Sequence, residues 1–239
     1  MSSPLSLSVV VPCFDEQRRI GGSLAELCRV LDALWHADWE VVVVDDQSTD
    51  ATVEVVEQFL ASRPEVRLVR SVHGKGKGAA VRTGVLAAAH DAIAVVDADL
   101  AGDVTLLPEM CARLSAADAV LGSRLLRGAV VEPARTVGRR AAAWIFRGAV
   151  RLMTPLRVSD PQCGFKVFRR DAVQPQIALM ATNGYGYEVE LLLRLQRAGA
   201  RLVEFPVTWR EGSDSKVRVA VDGLQMLREL WAARSHTRT

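Results

Sequence analysis

Residues 93–103, IAVVDADLAGD, carry four apolar side chains straight into two aspartates one residue apart, Asp97 and Asp99. Carboxylates this close repel each other, and the end of a buried strand is a costly place for either. The pattern recurs: Asp15 and Glu16 follow LSVVVPCF, and Asp45 and Asp46 follow EVVVV. In an open parallel sheet, ligands sit beyond the carboxyl ends of the strands. Aspartate is also a common turn former after a strand, which suffices for one such end. Three acidic ends together point to a binding rim. The glycines of HGKGKGAAVRTG, residues 73–84, precede a helical pattern and let a phosphate approach the backbone, with Lys75 or Lys77 adding charge.

Such a rim needs strands behind it. Apolar runs at residues 7–12, 40–46, 66–70, 92–99 and 118–124 read as strands, and the first, second and fourth are nearly continuous Val, Ile, Leu and Ala. That is the composition of strands covered on both faces. Ile20, Leu24, Leu27, Leu31 and Leu34 recur at helical spacing between the first two. A second helix follows STD, a suitable N-cap. Strands alternating with helices predict an α/β fold, a mostly parallel sheet with helices on both faces. After about Gly128 come an Arg- and Ala-rich segment (135–153), SDPQCGFKVFRRD, a helix near 187–198, a strand in ARLVEFPV and an amphipathic helix near 217–234. With no repeat or low-complexity linker, one domain over 1–239 is expected.

Composition excludes several classes. The chain has 239 residues, 49% hydrophobic and 24% charged, which argues against disorder, and its formal charge of +2 marks no nucleic-acid binder. Cys13, Cys28, Cys111 and Cys163 have no CxxC spacing and read as reduced thiols of a cytosolic protein. No signal peptide is expected, and no apolar stretch approaches the roughly 20 residues that span a bilayer. Residues after the first strand read PCFDEQRRIGG rather than GxGxxG, and the glycine cluster lacks P-loop spacing. Dinucleotide and P-loop chemistry are therefore set aside.

VVVPCFDE, VVVVDDQSTD, GKGAAVRTG, VVDADL, GSR and DPQCGFKVF occur in the order seen in family 2 glycosyltransferases of the GT-A fold. The chain resembles most the dolichyl-phosphate and polyprenyl-phosphate hexose synthases, over about residues 7–216. The resemblance implies a donor half over 1–127 and an acceptor half over 128–239. It implies that DAD is the DXD motif, holding Mg²⁺ or Mn²⁺ through Asp97 and Asp99 against the diphosphate of a sugar nucleotide. A hard cation suits oxygen ligands and substrate phosphates, and i, i+2 spacing places both carboxylates on one side if strand geometry persists. Pro12, Phe14 and Glu16 match the segment lining the nucleoside, with Phe14 for Tyr and Asp15 for Asn. Asp46 matches the acid contacting base or ribose, with Val44 and Asp45 beside it. Lys77, Ala98 and a phosphate-binding Lys216 complete the implied donor site. DDQS departs from the commoner DDGS or DDNS, and Ala101-Gly102 replaces the Gln and prolines that many relatives carry after DAD.

The implied donor is UDP-glucose, or alternatively GDP-mannose, and the implied acceptor a polyprenyl phosphate. A soluble family 2 transferase and a catalytically dead nucleotide-sugar binder are competing readings. Arg124 and Arg139 are candidates to position an acceptor phosphate. If the acceptor is a sugar hydroxyl, a general base is needed, and Asp160 and Glu188 are the candidates. Arg140, Arg147 and Arg151 share a helical face with Trp144, flanked by Ile145, Phe146, Ala149, Leu152 and Met153. This pattern fits a packed helix with a solvated basic side equally well as one lying on lipid headgroups. The resemblance tips it toward the membrane, giving a cytoplasmic protein peripheral at the inner face of the cell membrane.

Overall fold

The structure, a computed structural model, describes residues 5–133, 137–210 and Glu229, without the side chains of 137–143 and 146. Its strands are β1 (Leu7–Cys13), β2 (Trp39–Asp45), β3 (Val66–Arg70), β4 (Ala92–Val95), β5 (Ala119–Ser123), β6 (Val130–Glu132), β7 (Lys166–Arg169), β8 (Leu202–Pro206) and β9 (Thr208–Arg210). The helices are α1 (Ile20–Leu34), α2 (Thr52–Leu60), α3 (Lys77–Ala87), α4 (Leu107–Ala112), α5 (Val137–Met153), α6 (Arg170–Ala178) and α7 (Tyr187–Arg197). Seven strands form one sheet in the order β3-β2-β1-β4-β7-β5-β8, and β6 pairs with β9 in a second. Within the large sheet β7 alone runs opposite to the rest, antiparallel to both β4 and β5. The expected α/β architecture with a mostly parallel sheet is present.

Side chains alternate between strand faces, so each valine run feeds two cores. Val9, Val11, Val41 and Val43 pack with Ile20, Leu24, Leu27 and Leu31 of α1. Val10, Val42 and Val44 pack on the other face with Val81 and Val85 of α3 and Leu192 of α7. Leu34, the last member of the helical repeat, is instead exposed at the end of α1.

Four features depart from the expected pattern. β4 stops at Val95, whereas a strand through Asp99 was expected: the Leu100 N–H closes back on the Asp97 carbonyl at 2.9 Å, and Leu100 takes a φ of 47°. The strand argument for the aspartate pair therefore fails: both residues lie on a turn after β4. β7 comes from the DPQCGFKVFRR segment, read only as a motif. The small β6–β9 sheet and α6, which contains Pro175, are likewise additions. The amphipathic helix expected over 217–234 lies outside the described residues apart from Glu229.

Candidate active site

The loops leaving β1 and β2 are tied to each other by hydrogen bonds. Asp15 accepts from the Thr49 N–H at 2.6 Å, and its own N–H donates to Ser48 Oγ at 3.0 Å. The Glu16 N–H donates to Thr52 Oγ1 at 2.7 Å, and Asp45 Oδ1 accepts from the Ser48 N–H at 3.0 Å. Asp15 and Gln47 have φ of 52° and 64°. Aspartate visits this left-handed region more readily than glutamine, so Gln47 sits where Gly or Asn would be less strained. The phenyl ring of Phe14 lies 4.5 Å beneath Lys75 Nζ.

Asp46 turns both oxygens to the Gly76 N–H, at 2.8 and 3.0 Å. Gly76 has a φ of 123°, and a Cβ there would strike the Asn183 carbonyl, so this joint requires glycine. Burial raises the Asp46 pKa, opposed by the Gly76 N–H and Lys75. At the start of α3 the N–H groups of Gly78 and Ala79 are taken by the Asn183 carbonyl, at 2.7 and 3.2 Å. Contrary to the expectation that these glycines cradle a phosphate, the helix start is already capped, and what it offers the rim is the Lys77 ammonium.

That ammonium lies 2.7 Å from Asp97 Oδ1. Burial disfavours its charge, but Asp97, with Tyr187 and Glu188 nearby, outweighs this and raises the Lys77 pKa well above the usual lysine value. Asp99 reaches the surface, yet partial desolvation within the rim and then repulsion from Asp97 raise its pKa, while the Ala101 N–H at 3.1 Å holds its Oδ1. Gly164 abuts the Asp97 carboxylate so closely that a Cβ there would collide with it. Two carboxylates on one turn, with no side chain at Gly164 to displace Asp97, form a donor set that fits a hard divalent cation. Among the described residues no third His, Cys, Asp or Glu completes a metal-binding group with them. The remaining ligands would have to come from the substrate and water.

The DPQCGFK segment connects this turn to two buried ion pairs. Arg124 binds Asp160 through Nε at 2.7 Å and Nη2 at 2.8 Å, donates to the Gln162 carbonyl at 3.0 Å and lies 4.9 Å over Trp209. Burial would raise the Asp160 pKa, but Arg124 outweighs it and holds the carboxyl below the usual aspartate value. Lys166 binds Glu188 at 2.6 Å, and both side chains are nearly inaccessible. Both candidate bases are thus engaged by cations. Lys166 also donates to the Cys163 carbonyl, immediately before Gly164. One short segment thereby connects Arg124, Asp97 and Glu188.

Pro12 and Asp45 lie at the carboxyl ends of β1 and β2, Phe14, Glu16, Asp46, Asp97 and Asp99 on the segments that follow β1, β2 and β4, and Lys77 at the start of α3. Val44 and Ala98 turn their side chains into the cores behind that rim. Lys216 and the Arg139 side chain lie outside the described residues. Lys166, Gly164, Asn183 and Trp209 were not anticipated. A lysine inside an otherwise buried strand is the signal for the first; nothing local marks the others. Burial lifts the Cys13 and Cys111 thiols to about 12, and all four cysteines are buried, which leaves no reactive thiol.

In α5, Val150 is buried and Ala149 and Met153 pack toward the second core. Trp144, Ile145 and Leu152 point outward, 72%, 61% and 88% exposed. Arg151 is exposed beside them. No described helix is long and apolar enough to cross a membrane.

Residues 8–175 match the model of glycosyl transferase family 2. Glycosyltransferase AglD of Haloferax volcanii is 34% identical over 95% of this chain, which spans 37% of that relative's length. Dolichyl-phosphate beta-glucosyltransferase of Saccharomyces cerevisiae is 30% identical over 94% of this chain and 72% of its own. Undecaprenyl-phosphate mannosyltransferase of Micrococcus luteus is 29% identical over 90% of this chain and 88% of its own. Among solved structures, glucosyl-3-phosphoglycerate synthase from Mycobacterium tuberculosis with Mn²⁺, UDP-glucose and phosphoglyceric acid superposes with a TM-score of 0.67. At 18% identity, over 97% of this chain and 80% of that one, this likeness establishes the fold alone. By sequence, the protein belongs to glycosyl transferase family 2.

Proposed function

We propose that the protein is an inverting hexosyltransferase that moves glucose from UDP-glucose to a polyprenyl phosphate at the cytoplasmic face of a membrane. The observation that carries this reading is the turn after β4, where Asp97, Asp99 and Lys77 meet at the edge of a rim built from the β1 and β2 loops. Asp97 and Asp99 would hold Mg²⁺ or Mn²⁺. Once bound, such an ion supplies charge stabilisation for the departing nucleoside diphosphate. Phe14, Glu16, Asp45 and Asp46 define the side of the rim where the nucleoside would rest, and Lys77 brings a positive charge to the diphosphate.

An acceptor phosphate oxygen attacks the anomeric carbon from the face opposite the diphosphate. The new C–O bond forms as the old one breaks, its electron pair leaves with the diphosphate, and the configuration inverts. A phosphate monoester is already anionic near neutral pH, with a second pKa of about 6, so the phosphate reading needs no general base. Arg124 fixes Asp160 and the Gln162 carbonyl and thus positions the loop that carries Gly164 against Asp97. With Arg139 it remains a candidate to steer the acceptor phosphate. Trp144, Ile145 and Leu152 beside Arg151 give α5 the apolar and basic elements of a headgroup-facing helix. The dolichyl- and undecaprenyl-phosphate transferases among the relatives support the lipid acceptor.

The Micrococcus relative, a mannosyltransferase, favours mannose as a second sugar, and GDP-mannose is the alternative donor proposed for it. Incubating the protein with UDP- and GDP-sugars, with and without a short polyprenyl phosphate, tests both readings. The expected result is lipid-dependent release of UDP from UDP-glucose. Lipid-dependent release of GDP from GDP-mannose would replace the donor. Turnover with water-soluble acceptors alone would remove the lipid.

A further inference from the structure

Asp97 is claimed from two directions. Lys77 Nζ sits 2.7 Å from Oδ1, with the lysine and aspartate side chains 21% and 25% exposed. Gly164 lies against the other oxygen, Oδ2. Across the turn, Asp99 Oδ1 accepts from the Ala101 N–H. Among the described residues these two aspartates have no further acidic, histidine or cysteine ligand to offer an ion. A cation held by so few protein oxygens would complete its shell with diphosphate oxygens and water. Without nucleotide, an ion approaching Asp97 meets an ammonium already neutralising that carboxylate. With nucleotide, the phosphates bring enough negative charge for both cations. The flexible four-carbon stem of lysine lets Nζ move from one oxygen to another without moving α3.

We propose that the Lys77 ammonium competes with the divalent ion for Asp97 in the nucleotide-free protein and yields that carboxylate when a nucleoside diphosphate arrives. Metal and nucleotide then bind as a unit. This inference rests on the metal reading given above, and its test separates the two.

Mn²⁺ binding is measured by electron paramagnetic resonance of the free ion, at fixed ionic strength, with and without UDP. In the wild type UDP tightens Mn²⁺ binding strongly. In Lys77→Met, nucleotide-free Mn²⁺ binding becomes tighter by about tenfold, the scale expected when one opposing charge leaves a partly buried ion site, and the enhancement by UDP shrinks. Lys77→Arg keeps the charge and restores the wild-type pattern. A merely structural lysine would not move this coupling in that direction. Lys77→Gln serves the same purpose should the methionine variant not fold, and circular dichroism checks both. Unchanged nucleotide-free affinity in a folded, uncharged variant overturns the proposal while leaving the metal reading in place. Absence of Mn²⁺ binding to the wild type even with UDP overturns both.

Discussion

The rim beyond β1 and β2 and the segment around Asp160 both gather acids, but they satisfy them in different ways. Asp15 and Asp46 accept hydrogen bonds from backbone N–H groups of neighbouring loops and Asp45 from its own loop, with Glu16, paired to Arg19, the exception. Asp160 and Glu188 are held by the side chains of Arg124 and Lys166. Backbone donors fix a carboxylate without cancelling its charge. A buried ion pair cancels the charge and converts the acid into a strut. Breaking such a strut strands a charge, whereas breaking a loop bond exposes a donor that water can reach. The two regions should therefore respond differently to substitution.

The largest effect is expected between them, at the turn after β4. Asp99→Ala should lower transfer by about 10³-fold, the scale of removing one preorganised electrostatic contribution, with thermal stability retained. A folded variant that keeps full, metal-dependent turnover would remove Asp99 from the chemistry. Next comes the strut. Asp160→Asn leaves the Arg124 guanidinium buried with half its partner and should cost about 3 kcal/mol in urea unfolding. The sign of its pH dependence follows from the depressed Asp160 pKa. The pair's contribution is complete above the ordinary aspartate value of about 4, and it is lost as pH falls through the lower folded value. Asp160→Asn should flatten that acid limb of the stability profile, and an unaltered limb would show that Arg124 does not stabilise the carboxylate. Gly164→Ala should act more weakly on stability, by about 1–2 kcal/mol for a locally overpacked site. Because the added Cβ is directed at Asp97, Mn²⁺ affinity measured with UDP should fall with it. Lost stability with unchanged Mn²⁺ affinity would separate Gly164 from the ion site.

The contrast also explains what the sequence could disclose. The Val9–Val11 and Val41–Val44 runs state locally that both strand faces are buried, and the acids that end them mark the rim without any knowledge of partners. The struts are invisible locally: Arg124 and Asp160 are 36 positions apart, and Lys166 and Glu188 are 22 apart. They meet because β7 inserts antiparallel between β4 and β5. Four residues, KVFR, carry too little alternation to announce that strand. Pro175 argues against a helix where α6 forms, since proline removes a backbone donor. The aspartate pair was legible as residues but not as geometry, because the turn that joins Asp97 to Asp99 depends on Leu100 accepting a positive φ. Lys77 was legible as a charge near phosphate, but its contact with Asp97 required the two loops to be placed together.

The smallest expected effect sharpens the contrast most. Asp15 combines a left-handed backbone with a carboxylate that accepts from the Thr49 N–H and hydroxyl. Neither duty needs a charge. Asparagine tolerates the same φ and its amide oxygen accepts the same bond, so Asp15→Asn should change stability by less than about 0.5 kcal/mol. Alanine offers no acceptor and is strained at that φ, so Asp15→Ala should cost about 1–2 kcal/mol. Asp160 must behave otherwise, because its partner is a buried cation and a neutral amide cannot replace the charge. Urea unfolding of the four variants, Asn and Ala at each position, reads the difference directly. If Asn is as harmful as Ala at position 15, the rim acids depend on charge as the struts do, and the division between the two regions does not hold.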